Sequence, residues 1–213
     1  MTPAGAGLDA VALDPGTTLL VSGPVMTGKR RLVIELLTNH AADGTVFVTT
    51  RRGAAAIERE FESVAPGSSD RLSVVDCVSA GTGTSRGRSD DREYVSTPGD
   101  LTGIGIAVTE FLRERHSRGE QANLGLHSLS TMVMYADLRR VFQYLHVVMG
   151  RVSAADFRAV CSVDSSVVDE RDLDVLSQPF DARLELRERE GRREFRVRGD
   201  DLGPRGWTPL DDG

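Results

Sequence analysis

Residues 17–31 read TTLLVSGPVMTGKRR, and this stretch decides the fold. Apolar Leu19-Leu20-Val21 predicts a buried strand over 17–22. Gly23, four further residues and then Gly28-Lys29 follow, and the segment over 29–42 reads as an amphipathic helix. A glycine-bounded loop between strand and helix turns its backbone N–H groups around a phosphate. The lysine and the helix N-terminus add positive charge. The spacing therefore predicts a phosphate cradle made of Gly23, Pro24, Val25, Met26, Thr27, Gly28, Lys29 and Arg30. The position after the lysine ordinarily carries a Ser or Thr hydroxyl that holds Mg²⁺, and here it is Arg30. Lys29 is also the chain's single lysine, since every other basic residue among the 26 is arginine. A compact ammonium at that one place suits a phosphate loop.

Outward from the loop, strand and helix patterns alternate. Strands are expected over 45–49, 72–78, 122–131 and 157–163, and helices over 54–64, 102–116 and 136–152. The last helix has Leu138, Val141, Phe142, Leu145, Val148 and Met149 at three- and four-residue spacing. This alternation points to an α/β chain with a mainly parallel sheet covered on both faces. The stretch 80–93 is almost devoid of apolar residues and reads as a mobile surface loop. Past it, 180–190 and 192–198 alternate apolar and charged residues around Glu190-Gly191, which predicts a C-terminal β-hairpin. Seven arginines lie between Arg183 and Arg198 with acids interleaved, the pattern of a charge-laced solvated face. A nucleic-acid surface is the other reading of that face. Trp207 is expected to pin the tail to the body.

At 213 residues the chain suits one domain, with a core over about 15–166 and a hairpin and tail over about 178–210. A net charge of −6 gives no global field that would attract nucleic acid or anionic lipid. Cys77 and Cys161 lie in apolar strand-like runs and read as buried free thiols of a reducing compartment. No cysteine or histidine spacing suggests a metal site. No secretory leader is evident, and no apolar run approaches the ~20 residues that span a bilayer. A cytoplasmic protein is the expectation.

The chain resembles the RecA/KaiC-like branch of phosphate-loop ATPases, in particular archaeal KaiC-type signalling proteins. GPVMTGKR (23–30), VFVTTRRG (46–53), STPGDLTGIGIAVTEFL (96–112) and LGLHSLSTMVMY (124–135) carry the resemblance over about residues 15–200. It implies a three-layer RecA-like domain and ATP or ADP as ligand. It also places the family's chemical positions on this sequence. The magnesium hydroxyl falls on Arg30, a catalytic glutamate pair on Arg51 and Arg52, and a magnesium-shell aspartate on His127. Arginine has no acceptor lone pair, so it neither ligates a metal nor takes a proton from water. A neutral His127 can bind metals, but Mg²⁺ prefers oxygen. No residue is therefore assigned a catalytic or metal-binding role. A degenerate, non-hydrolysing nucleotide-binding regulator or scaffold, with a protein partner or a second copy, is the expectation. The alternatives are an ATPase completed by oligomer neighbours and a DNA-associated module. Asp76 and Asp164, both near strand ends, are the candidates for a surviving acid.

Overall fold

A computed structural model of the chain describes residues 7–40, 42–81 and 91–210. The first half runs β1 (Thr18–Gly23), α1 (Lys29–Asn39), β2 (Gly44–Thr49), α2 (Ala54–Val64), β3 (Leu72–Asp76), β4 (Arg92–Tyr94), α3 (Leu101–Ser117) and β5 (Ala122–His127). The second half runs α4 (Leu129–Tyr135), α5 (Leu138–Ala154), β6 (Arg158–Asp164), α6 (Glu170–Ser177), β7 (Ala182–Arg189), β8 (Arg192–Gly199) and β9 (Thr208–Pro209). The strands make one sheet in the order β4-β3-β2-β5-β6-β1-β7-β8-β9. Pairing is parallel from β4 across to β7, then antiparallel for β7–β8 and β8–β9.

Side chains alternate across a strand, so neighbours on β1 and β2 part to opposite faces. Leu19, Val21 and Phe47 join Leu32, Ile57 and Phe61 under α1 and α2. Leu20, Val46 and Val48 join Ile104, Phe111 and Leu145 under α3 and α5. Both faces are covered, and the result is the expected mixed α/β, RecA-like arrangement with a C-terminal hairpin. Among the described residues, no helix is long and apolar enough to cross a membrane. Both cysteines are buried and free, and burial pushes the Cys77 thiol up to about 12, with Asp76 and Asp100 adding to the rise.

Several boundaries differ from the sequence expectation, each for a local reason. The strand expected over 122–131 stops at His127. Ser128 then caps α4 by accepting the Ser130 N–H at 3.2 Å, so Leu129 and Met132 belong to a helix. Helix α1 stops at Asn39 because His40 leaves the helix, its Nδ1 meeting Leu36 O and its Nε2 accepting the Leu13 N–H. Strand β3 ends at Asp76, whose carboxylate accepts the N–H groups of Ala54, Val78 and Ser79 at 2.7–2.9 Å. Asp76 is thus a structural cap. Helix α6 lies where the sequence pattern predicts no element, started by Asp169 accepting the Asp172 N–H at 2.8 Å. Of the stretch 80–93, residues 82–90 lie outside the described residues, and its end belongs to β4, paired with β3. Arg92 in β4 is held to Glu58 by two 2.6 Å hydrogen bonds.

The hairpin turns at Glu190 and Gly191, both at positive φ. Leu184, Leu186, Phe195 and Val197 face the core. On its other face Arg–Glu pairs join the strands: Arg187 meets Glu194 at 2.6 Å, and Arg196 meets Glu185 at 2.7 Å. Trp207 packs on the Arg187 and Arg196 guanidiniums, 4.0 and 4.4 Å from its ring centre, and fastens the tail to this polar face.

Gly125 on β5 lies against Phe47 of β2 and Leu37 of α1. A Cβ there would lie 2.4 Å from Phe47 Cδ2 and 2.7 Å from Leu37 Cδ1. Gly125→Ala is expected to lower unfolding free energy by about 1–3 kcal/mol in urea melts. An unchanged midpoint would mean that the Phe47 ring can move aside without loss.

Candidate phosphate-binding site

Gly23 ends β1 and Lys29 begins α1, so residues 24–28 form the loop between them. Met26 and Gly28 take left-handed backbone conformations, φ 65° and 76°, which curls the loop. Gly28 also meets a second restriction: a Cβ there would lie 2.7 Å from Arg193 Nη1 on β8. No side chain caps α1. The N–H groups of Gly28, Lys29, Arg30 and Arg31 find no acceptor among the described residues. Free N–H groups at a helix start form a ready anion site.

Lys29 is only 4% exposed. Its ammonium donates to Gly23 O at 3.0 Å, to Pro24 O, and to Asp164 Oδ1 at 2.5 Å. An ammonium has three protons, so these acceptors saturate it. Burial presses the Lys29 pKa below its ordinary value. The hydrogen bond and charge of Asp164 oppose that shift, and Arg51 adds to it. Asp164 ends β6, directly beside Gly23 in the parallel register with β1. Its Oδ2 meets Arg51 Nη1 at 3.4 Å, and its backbone N–H donates to Ser130 Oγ at 2.6 Å. Of the two candidate surviving acids, Asp164 therefore stands at the loop, and Asp76 does not.

The residues expected at the family's chemical positions come together around Lys29. A cleft of about 510 Å³ is lined by Val25, Met26, Gly28, Lys29, Arg30, Arg31, Arg51, Arg52, Glu60, His127 and Asp164. Gly23, Pro24 and Thr27 do not line it but shape the loop from behind. The Thr27 hydroxyl donates to Pro24 O at 2.8 Å, and Arg193 donates to Thr27 O at 3.3 Å. Arg30 turns to α2 and pairs with Glu60 at 2.6 Å. Arg51 and Arg52 follow β2, whose end is tied to β5 by reciprocal bonds between Thr50 and the His127–Ser128 backbone. The Arg52 side chain has no hydrogen-bond or ion-pair partner among the described residues.

His127 ends β5, with its Nδ1 2.7 Å from Ser162 Oγ. The same Ser162 hydroxyl lies 3.3 Å from Leu126 O. Burial, and then the charges of Arg30, Arg51, Lys29 and Arg52, lower its pKa to about 3. The ring is neutral at physiological pH.

A polyanion fits the open donors here: free N–H groups and arginines lining one cleft. A magnesium ion does not. Its hydroxyl position is a guanidinium, and both carboxylates lining the cleft are already paired, Glu60 with Arg30 and Asp164 with Lys29 and Arg51. Among the described residues no group of three or more His, Cys, Asp and Glu is placed to hold a metal. Sequence spacing does not name Glu60, Ser162 or Arg193. Arg193 shares the strand face of Phe195 and Val197, so alternation could have turned it toward α1, but only the fold brings it to the loop.

The model of a protein family described as a family of unknown function (DUF7504) matches residues 16–186. The chain belongs to that family. No curated protein matches the sequence. The fold is similar to that of the KaiC-like protein PH0186 from the hyperthermophilic archaeon Pyrococcus horikoshii OT3. That match has TM-score 0.65 and 14% identity, and covers 98% of this chain and 92% of that one. It is also similar to the flagellar accessory protein FlaH from Methanocaldococcus jannaschii, at TM-score 0.59 and 13% identity, over 93% of this chain and 88% of that one. At these identities the likeness shows the fold, so this DUF7504 member has a RecA/KaiC-like architecture.

The His127 environment has a measurable consequence. Its folded pKa lies below the unfolded value, so between about pH 3 and 6.5 the unfolded chain binds the extra proton. Its contribution to stability is complete above pH 6.5 and is lost as pH falls toward 3. NMR titration should show the His127 ring neutral down to pH 4, and His127→Gln should flatten the acid limb of stability against pH. A ring that titrates near 6.5 would contradict the buried, cation-ringed placement.

Proposed function

We propose that this chain is a phosphate-loop protein that binds the phosphates of a nucleotide such as ATP or ADP, without hydrolysing it. In this reading it acts as a regulatory or scaffolding component in signalling, on a single domain. The observation that carries the reading is the convergence of Arg30, Arg51, Arg52 and His127 on the one cleft that holds Lys29. The replaced positions are neighbours in space, so each replacement bears on the same ligand. Phosphoryl transfer needs charge neutralisation around the phosphates and an oriented nucleophile. The arginines supply the first. They do not supply the second, since no guanidinium accepts a proton from water. His127 keeps an acceptor nitrogen, but a ring that protonates only near pH 3 is too weak a base to activate water at neutral pH.

The Lys29–Asp164 contact adds a condition on binding. A phosphate that reaches Lys29 must displace the Asp164 carboxylate or share the ammonium with it. Binding is therefore a competition between two anions for one buried cation. Support for the signalling role comes from the resemblance to KaiC-type proteins and from fold neighbours that are a KaiC-like protein and a flagellar accessory protein.

The test pairs thermal melting with phosphate release. ATP without magnesium should raise Tm, and Lys29→Ala should abolish the shift. Phosphate release with magnesium should equal the no-protein control for both proteins. Turnover above that control that disappears in Lys29→Ala would overturn the non-hydrolysing reading and favour an ATPase, one completed by a neighbouring copy if the rate rises with protein concentration.

A further inference from the structure

The cleft's composition says more about its ligand than the loop does. Five of its lining side chains are cationic and two are anionic, a formal excess of three positive charges. Some of that charge is already answered: Arg30 by Glu60 at 2.6 Å, and Arg31 by Glu35 at 2.6 Å outside the cleft. Arg51 shares Asp164 with Lys29 at the longer distance of 3.4 Å, and its side chain is 53% exposed. Arg52 is exposed and has no partner among the described residues. The charge least answered thus sits on Arg51 and Arg52, which line the same cleft as the start of α1.

What the lining lacks matters equally. Among the described residues that line it there is no Phe, Tyr or Trp to stack on a base. There is also no Asn, Gln, Ser or Thr to read a base edge. Its exposed apolar groups, Val25 and Met26, stand at the loop tip, and Met26 is 100% exposed. They offer no enclosed slot.

We infer that this site recognises a polyphosphate chain as such, without reading a nucleobase, and that magnesium competes with the protein for that chain instead of assisting its capture. The inference rests on the phosphate-binding reading above and narrows it to a ligand class: linear tri- or polyphosphate, free or as the tail of any nucleoside triphosphate. The physical reason for magnesium antagonism is charge. In an ordinary phosphate loop the ion bridges phosphate oxygens to a protein hydroxyl and carboxylate. Here Arg30 stands in the hydroxyl position and Asp164 is held by Lys29 and Arg51. A phosphate chain carrying Mg²⁺ therefore brings less negative charge to arginines that cannot ligate the ion.

The experiment is calorimetric titration of the full chain in low-salt buffer with EDTA, using sodium tripolyphosphate, ATP, GTP and adenosine. Tripolyphosphate, ATP and GTP should bind within about threefold of one another, and adenosine should not bind. Saturating magnesium should weaken ATP binding by about tenfold or more. The double variant Arg51→Gln/Arg52→Gln changes exposed side chains and should keep its wild-type Tm. It should lose about tenfold or more in tripolyphosphate affinity, the scale of one charge-assisted contact. If ATP binds about tenfold tighter than both GTP and tripolyphosphate, or if magnesium tightens binding, this inference is wrong while the phosphate-binding reading stands. If no phosphate compound binds, both fall. An unchanged tripolyphosphate affinity in the double variant would also overturn the assignment, because the binding charge would then lie elsewhere.

Discussion

A single buried ion pair organises the functional end of this molecule. The Lys29 ammonium is removed from water, and a buried charge is tolerated only when its hydrogen bonds are met. Asp164 and the Gly23 and Pro24 carbonyls meet them. The consequence is structural before it is functional. The loop between β1 and α1 is drawn onto the end of β6, and the ends of adjacent parallel strands are tied together. Asp164 is fixed in turn by its N–H to Ser130 Oγ at the start of α4. One contact thus couples loop, sheet and the helix that follows β5.

Around that pair the sequence accumulates cations where open α/β sheets place their ligand crevice. Glu60, Glu35 and Asp164 prevent the arginines from repelling one another outright, yet each acid is already spoken for. Burial is the main cause of the low His127 pKa, and the charges of Arg30, Arg51, Lys29 and Arg52 lower it further. The cleft therefore carries an excess of positive charge.

The hairpin belongs to this arrangement. Strand β7 pairs in parallel with β1, the strand that feeds the loop, and β8 carries Arg193 to Thr27 and Gly28. Its alternating pattern sends Phe195 and Val197 into the core beneath α1. The opposite face is closed by cross-strand Arg–Glu pairs and by Trp207. A segment that looks like an appended basic surface is therefore a third wall of the loop's support.

The periodicity of the chain determined the α/β class, the strand–loop–helix unit of β1 and α1, helices α2, α3 and α5, and the hairpin, because these depend on contacts within a few residues or on apolar spacing. Motif spacing singled out residues 23–30, and the resemblance to KaiC-like proteins pointed to Arg51, Arg52 and His127; the fold brings Arg30, Arg51, Arg52 and His127 to one cleft with Lys29. Only the tertiary structure decided which acids matter. Asp76 and Asp164 both end apolar strands, but one accepts the Ala54 N–H at the start of α2 and the other meets Lys29. It also decided that the run after His127 turns into α4, that Arg92–Tyr94 is an edge strand, and that Arg193 reaches the loop from more than 160 residues away in sequence. Strand order and register set these pairings. They are global properties of the sheet, and no local window of sequence contains them.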